Sequence, residues 1–226
     1  MKLLLIFLSF LGFSVNILFA GTPEAPDMQK IRDNILDFGS QYYYPRLMKR
    51  YLNNDTTLTL NEYRHLYLGY SFQEGYDPYR TTPQQEGMIS LYTNSDPTEN
   101  DCDTIIKYAM LGIEDFPFDL RQINRLIYAY KCKKEMEKMK KWSYKLEKII
   151  DAILSTGDGT SPETAWYVIY TGHEYDIVNR LGLSATQYVF IDPCYDFIEA
   201  AANQFNIKGC YFNVSRILEE YNRKFN

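Results

Sequence analysis

The sequence has 226 residues, of which 46% are hydrophobic and 16% aromatic; its 24 basic residues are outnumbered by 29 acidic ones, giving a formal net charge of −5. A chain of this length can bury its own core as one large domain or two small ones. An acidic balance without a basic stripe argues against nucleic acid or an anionic membrane as a partner.

Residues 1–20, MKLLLIFLSFLGFSVNILFA, have the segments of a secretory signal peptide: one lysine, a long apolar run and the small residue Ala20. Leu18 is larger than the residue usual at that distance from the cleavage site. An uncleaved membrane anchor is therefore the alternative, since about 20 apolar residues can span a bilayer. We predict an exported protein that is periplasmic or associated with the cell envelope, with no further membrane contact.

The four cysteines are expected to leave the cytoplasm with the chain, so disulfides can persist. Sequence alone does not fix their pairing. The favoured pairs are Cys102 with Cys132 or Cys194 with Cys210, and buried free thiols are the alternative. Their spacing contains no CxxC, which argues against a zinc site.

Residues 21–156 carry the signals of successive helices. In the sequence TLNE, Thr59 and Glu62 have the spacing of a two-way capping box, followed by an apolar and aromatic stripe over residues 63–72. Pairs of such helices predict antiparallel hairpins, loosely tetratricopeptide-like but without a clean register of about 34 residues. The predicted helix starts are Asp27, Pro45, Thr59, Pro83, Asp96-Pro97 and Asp119, followed by a long amphipathic helix over 133–154.

The periodicity becomes strand-like after Gly157. Residues 165–170 (AWYVIY) and 187–191 are β-branched and aromatic, as in strands. Residues 195–202 and 209–214 can form a hairpin, although the alanines also allow a short helix over 195–202. We predict a small, mainly antiparallel sheet with one helix inserted between its strands.

The predicted fold class is therefore α+β. A mostly helical body of antiparallel hairpins occupies residues 21–156. A small α+β region, residues 157–226, is expected to pack on it, so that the two form one compact unit.

The glycine-rich turn GDGT, residues 157–160, has three interpretations. A phosphate loop would require GxxxxGK[ST], which is absent. A calcium loop would require alternating acidic ligands and a closing glutamate, which are also absent. We therefore predict that Gly157 is the left-handed C-cap of the preceding helix and that Asp158-Gly159 forms a turn.

His173-Glu174 resembles the start of a zinc-protease helix, but Ile177 occupies the place of the second histidine. Thr171 and Glu174 have capping-box spacing, and Gly182 can end the helix that follows. We interpret Glu174 as part of a helix start.

The sequence contains no recognisable catalytic set. A GxSxG nucleophile elbow is absent, and Cys194 with His173 lacks a third group to orient the histidine. We therefore expect no catalytic residues, no cofactor and no metal site.

The 21 tyrosines are the unusual feature of the composition. Tyr63, Tyr67 and Tyr70 fall at helical spacing, which favours a packed stripe. The segment GYDPY, residues 75–79, is a turn that either closes a hairpin or forms an aromatic lip for a ligand. The candidate ligand surface comprises Tyr76, Asp77, Tyr79 and His173.

Three segments together resemble the bacterial domain-of-unknown-function family 4919: TLNEYRHLYLGYSFQEGYDPY, DFPFDLRQINRLIYAYK, and GDGTSPETAWYVI with HEYDIVNRLGL. The resemblance extends from about residue 27 to the C-terminus. It implies an exported or envelope-associated protein and assigns neither an activity nor any catalytic residue.

Two hypotheses for the function follow. The first is a non-enzymatic scaffold, or a module that binds an envelope protein or a peptide. The alternative is an enzyme or carbohydrate-binding accessory with a site between helices and sheet, formed by His173 and tyrosines.

Overall fold

The computed structural model describes residues 23–80, 91 and 97–225. The predicted signal peptide and the helix predicted to begin at Pro83 lie outside the described residues. Within the described part, no helix is long and apolar enough to cross a membrane.

The described residues form an α+β fold of eight α-helices and one four-stranded sheet, which confirms the predicted class. The helices are α1 Met28–Leu36, α2 Tyr44–Leu52, α3 Leu60–Tyr70, α4 Glu99–Asp115, α5 Leu120–Cys132, α6 Met136–Leu154, α7 Gly172–Arg180 and α8 Ser215–Phe225. The strands are β1 Trp166–Tyr167, β2 Ala185–Ile191, β3 Tyr195–Ala200 and β4 Gly209–Asn213.

The helix starts were predictable where a side chain caps the first turn. Asp27 and Asp119 accept hydrogen bonds from the first-turn amides of α1 and α5. Thr59 and Glu62 form the predicted two-way capping box. The helix predicted to start at Asp96-Pro97 instead begins after Thr98, which pairs with Asp101 in a second capping box.

The turn after α6 corrects one prediction about glycine. The left-handed residue is Gly159, with φ of 70°, and not Gly157. Gly157 is needed for a close approach instead, because a Cβ there would lie 2.1 Å from the carbonyl oxygen of Thr164. Asp158 closes the predicted turn by accepting hydrogen bonds from Thr160 and Thr164.

The sheet has the strand order β1-β4-β3-β2. β2 with β3 and β3 with β4 are antiparallel, as predicted, while β1 runs parallel to β4. The strand predicted over 165–170 contains only Trp166 and Tyr167, because a parallel neighbour pairs with no more than these two residues. α7 lies between β1 and β2 in the chain, which confirms the inserted helix.

One hydrophobic cluster includes side chains of the helical region and of the sheet. Tyr63, Tyr67 and Tyr70 are buried in it, which confirms the packed tyrosine stripe. α8, which the sequence reasoning did not predict, contributes Ile217 to the same cluster.

Candidate functional site

His173 lies at the start of α7 and is 0% exposed. Its Nε2 is 2.9 Å from the carbonyl oxygen of Phe118, and its Nδ1 is 2.8 Å from the hydroxyl of Tyr67. A carbonyl oxygen only accepts, so Nε2 carries the proton and Nδ1 accepts from Tyr67. Burial lowers the pKa of His173 to about 3, and the ring is therefore a neutral, fully bonded part of the core.

Tyr76 belongs to the same buried network. Its hydroxyl donates to the carbonyl oxygen of Ile169 at 2.8 Å, while the amide of Ile169 donates to the Tyr67 hydroxyl at 3.3 Å. The network thus connects the turn after α3 to the segment after β1 and to the start of α7. Its members satisfy one another's polar groups, as buried polar groups require.

Asp77 and Tyr79 lie apart from that network, against α8. Asp77 forms an ion pair of 3.1 Å with Lys224 and accepts from the backbone amide of Tyr79. The Tyr79 ring, 42% exposed, packs edge to face on Tyr221 with centroids 6.0 Å apart. The structure therefore divides the predicted ligand surface between a buried pair, Tyr76 with His173, and a surface pair.

Glu174 does not form the predicted capping box, because Thr171 has helical backbone angles and makes no side-chain cap hydrogen bond. Glu174 is 1% exposed and its carboxyl group contacts that of Asp196, on β3, which is 4% exposed. The Oε1 atom of Glu174 has no hydrogen-bond partner among the described residues. Tyr188 of β2 donates to Asp196 Oδ1 at 3.1 Å.

Burial and the neighbouring carboxyl group both favour the neutral form of Glu174, so its pKa is raised far above the ordinary value. Burial also raises the pKa of Asp196. Two carboxylates hydrogen-bond to each other only through a proton, so the pair holds one at neutral pH. Sequence reasoning missed this pair because Glu174 and Asp196 meet only in the folded sheet; a lone aspartate in the aromatic strand YDFI was the available signal.

β2 is one of the two edge strands of the sheet and lies next to this carboxyl pair. Six of its seven residues are exposed, and the seventh, Ile191, is half-buried. One side of the strand pairs with β3, and within the described chain no strand pairs with the other side. Backbone donors and acceptors along that side are open to a partner.

All four cysteines are free thiols in the structure. Burial raises the pKa of the Cys102 thiol, and Cys132, at the end of the neighbouring helix, hydrogen-bonds to it. The predicted pair Cys102 with Cys132 is therefore adjacent. Among the described residues, no group of three or more histidine, cysteine or acidic side chains has the arrangement of a metal site.

The fold and the site define an α+β protein in which the polar groups between helices and sheet are buried and one strand edge is open. The model of the family described as domain of unknown function DUF4919 matches residues 29–223. The chain belongs to this family. A search of the curated proteins and a search of the solved structures each gave no match.

Proposed function

We propose that the protein is exported and acts as a binding module, which pairs an extended segment of another envelope protein with the free edge of β2. The observation that carries this proposal is the exposure of apolar side chains along the strand: Tyr188, Val189 and Phe190 are 51%, 38% and 42% exposed. In strand addition, backbone hydrogen bonds supply affinity and alternate side chains supply specificity.

Apart from an irregularity at its start, the described strand lacks the features that normally protect a sheet edge. Soluble proteins place lysine, proline or a covering element on such edges. Residues 185–191 contain no proline and no charged residue. A register shift against β3 lies between Ala185 and Gln187, so regular pairing is offered by residues 187–191.

The sheet also provides an apolar face beside this edge. Val189 is the cross-strand neighbour of Phe197, and Phe197 is the neighbour of Tyr211. The rings of Phe197 and Tyr211 are 4.6 Å apart and half-buried. A segment paired with β2 would place alternate side chains next to Val189, and so extend the row formed by Val189, Phe197 and Tyr211.

The full burial of His173 favours the binding module over the alternative of an enzyme or carbohydrate-binding accessory. That alternative requires His173 to reach a ligand. Both ring nitrogens are instead engaged with Tyr67 and Phe118.

Export rests on the N-terminal sequence and is tested separately. We expect N-terminal sequencing of the protein from the envelope fraction of its own cells to begin at Gly21. A chain retaining Met1 in the membrane fraction would support the uncleaved anchor instead.

The strand-addition proposal is tested with Val189→Lys, which places a charge on the open strand. The matched control is Leu111→Lys on α4, because Leu111 has a similar exposed fraction of 43%. Partners are captured from the envelope fraction with each variant. We expect the charge at position 189 to weaken binding by about tenfold or more, and the control to bind normally.

Hydrogen exchange on the complex identifies the surface. The amides of β2 that point away from β3 should gain protection when the captured partner is added. A partner that binds the Val189→Lys variant with unchanged affinity, or that leaves exchange in β2 unchanged, would contradict the proposal. Self-association through β2, measured by sedimentation, would contradict it as well.

A further inference from the structure

A cleft of about 560 Å³ lies beside α6, on the side of the helical region that faces α2 and α3. Four lysines of α6 line it: Lys138, Lys140, Lys141 and Lys145. Tyr63 and Tyr144 provide aromatic walls, and Tyr144 is held in place by donating to the carbonyl oxygen of Thr56 at 2.9 Å.

Lys145 is the unusual member of this group, because it is only 4% exposed. Its Nζ is 4.3 Å from the centre of the Tyr51 ring and 4.9 Å from that of Trp142. Within the described residues it forms no ion pair and no hydrogen bond. Aromatic faces stabilise a buried ammonium group only in part, so its N–H donors are available to a ligand in the cleft.

The other charges of the cleft are largely neutralised. Lys138 pairs with Glu135 at 2.5 Å and Lys140 with Glu137 at 3.0 Å. Asp55, which also lines the cleft, pairs with Arg50 at 2.7 Å. Lys141 and Lys145 are thus the lining cations without a carboxylate partner in the described structure, and they give the cleft an excess of positive charge.

We propose that this cleft is a binding site for a small ligand bearing an oxyanion, whose phosphate, sulfate or carboxylate group binds the ammonium group of Lys145. Lys141 lies on the solvent side of the bound oxyanion, and Tyr63 and Tyr144 contact the rest of the ligand. The site lies on α6 and is independent of the strand-addition surface.

The electrostatics of Lys145 provide a measurable signature. Burial, together with the nearby charge of Lys141, lowers the pKa of Lys145 to about 8. An anion beside the ammonium group stabilises the charged form, so binding should raise this pKa. By linkage, affinity for an anion of fixed charge should decrease as the pH rises through 8.

Sulfate is a suitable probe because its charge is constant across this range. It is titrated into the protein at pH 7 and at pH 9, against sodium chloride of equal ionic strength, while NMR follows the Lys145 side chain. We expect saturable binding with Kd of about 1–10 mM at pH 7, weaker binding at pH 9, and a rise of about one unit in the Lys145 pKa.

Two variants and a control locate the site. Lys145→Met keeps an apolar stem against Tyr51 and Trp142 and should abolish binding. Lys141→Gln changes an exposed residue, so the fold is not at risk, and should weaken binding about threefold to tenfold. Lys148→Met is the control, because Lys148 lies on the same helix but pairs with Asp151 at 2.9 Å, and it should bind as the native chain does.

The proposal would be overturned by any of three results. These are the absence of saturable binding up to about 50 mM sulfate, binding that persists in Lys145→Met, or binding that is unchanged in Lys141→Gln. Acetate at equal ionic strength distinguishes carboxylate from sulfate or phosphate ligands: tighter binding of either anion supports the site and indicates its preferred class.

Discussion

At the scale of single residues, the histidine and glutamate in the first turn of α7 lie in one core, where burial shifts their pKa values in opposite directions. His173 is held neutral by burial although it is a base, and Glu174 is held neutral by burial although it is an acid. Both residues are therefore uncharged at the start of the helix at neutral pH. Motif reasoning treats His-Glu as reactive chemistry, whereas the packing makes both residues structural.

His173 should not titrate near neutral pH. Because its pKa is about 3, its ring signals should remain constant between pH 5 and 8, with the proton on Nε2. NMR of the two histidines provides the measurement, with the half-buried His65 as reference. A His173 signal that titrates near neutrality would contradict the buried position and restore the enzyme alternative.

A His173→Leu variant tests the same network by stability. It leaves the Tyr67 hydroxyl and the Phe118 carbonyl without this partner, which should lower the free energy of unfolding by about 2–4 kcal/mol. Denaturant unfolding measures the change. A loss below about 0.5 kcal/mol would show that the network does not hold the helix.

Glu174→Gln should change how the stability of the protein depends on pH. The folded pKa of Glu174 lies above its unfolded value of 4.5, so its contribution is fully present below pH 4.5 and is lost as the pH rises. The loss approaches about 1.4 kcal/mol per pH unit at most. Glutamine cannot titrate and can still donate to Asp196, so the variant should lose stability less steeply from pH 5 to 8.

Thermal unfolding of both chains across that range measures the difference. Glu114→Gln on α4 is the control, because Glu114 is exposed. Parallel curves for the native chain and Glu174→Gln would contradict the assignment of the shared proton to this pair.

At the scale of elements, α8 joins the two regions of the chain. Arg216 donates to the carbonyl oxygen of Ser71 at 2.6 Å and to its hydroxyl at 3.2 Å. Its guanidinium also lies 4.2 Å from the centre of the Phe72 ring. The contact fastens the C-terminal helix to the end of α3.

We expect Arg216→Gln to lower the free energy of unfolding by about 1–3 kcal/mol, because a charged donor to the carbonyl of the buried Ser71 is removed. Lys140→Gln is the control: Lys140 pairs with Glu137 at 3.0 Å on α6, both side chains are largely exposed, and the loss should be less than about 0.5 kcal/mol. Equal losses in the two variants would show that α8 is not fastened through Arg216.

The elements that sequence predicts well are those whose signals are local. Thr59 and Asp119 are followed directly by the helices they cap, and Gly182, with φ of 72°, follows the C-cap residue of α7, Leu181. β1 was predicted too long because its length is set by the two residues of β4 that pair with it. α8 was missed although Ile217, Leu218 and Tyr221 have helical spacing.

The candidate sites were less predictable than the fold, for a spatial reason. The pair Glu174 with Asp196, and the cleft of Lys145, are made by elements that are distant in sequence. No local pattern specifies that Lys145 is the buried lysine of a helix that carries many. The ligand surface predicted around Tyr76 and Tyr79 was likewise divided by burial, which sequence does not report at single residues.

At the scale of the whole molecule, the buried groups set a pH range of maximum stability. His173 has an unfolded pKa of 6.5 and a folded value of about 3, so it loses stability as the pH falls below 6.5. Glu174 loses stability as the pH rises above 4.5. Between pH 4.5 and 6.5 the two effects oppose each other. Below this range only His173 loses stability, and above it only Glu174 does.

We therefore expect the melting temperature to be highest between pH 4.5 and 6.5 and to decrease toward pH 8. Asp176, whose pKa is raised from 3.8 to about 6 by burial, loses its contribution between those two values and shifts the maximum toward the lower end of this range. Calorimetry over pH 4 to 8 at constant ionic strength measures the profile. A maximum at pH 8 would contradict the buried neutral state of Glu174.

The position of β4 in the sheet has a consequence for the order of assembly. β4 is the last strand in the chain, yet it lies between β1 and β3. β1 has no partner until residues 209–213 are available, so the sheet is completed only when nearly the whole polypeptide is present. The consecutive helices α4, α5 and α6 pack on one another, and such local contacts form sooner than distant pairings. Folding is thus expected to end with the closing of the sheet, and a chain crossing a membrane from its N-terminus would arrive there with its strands still apart.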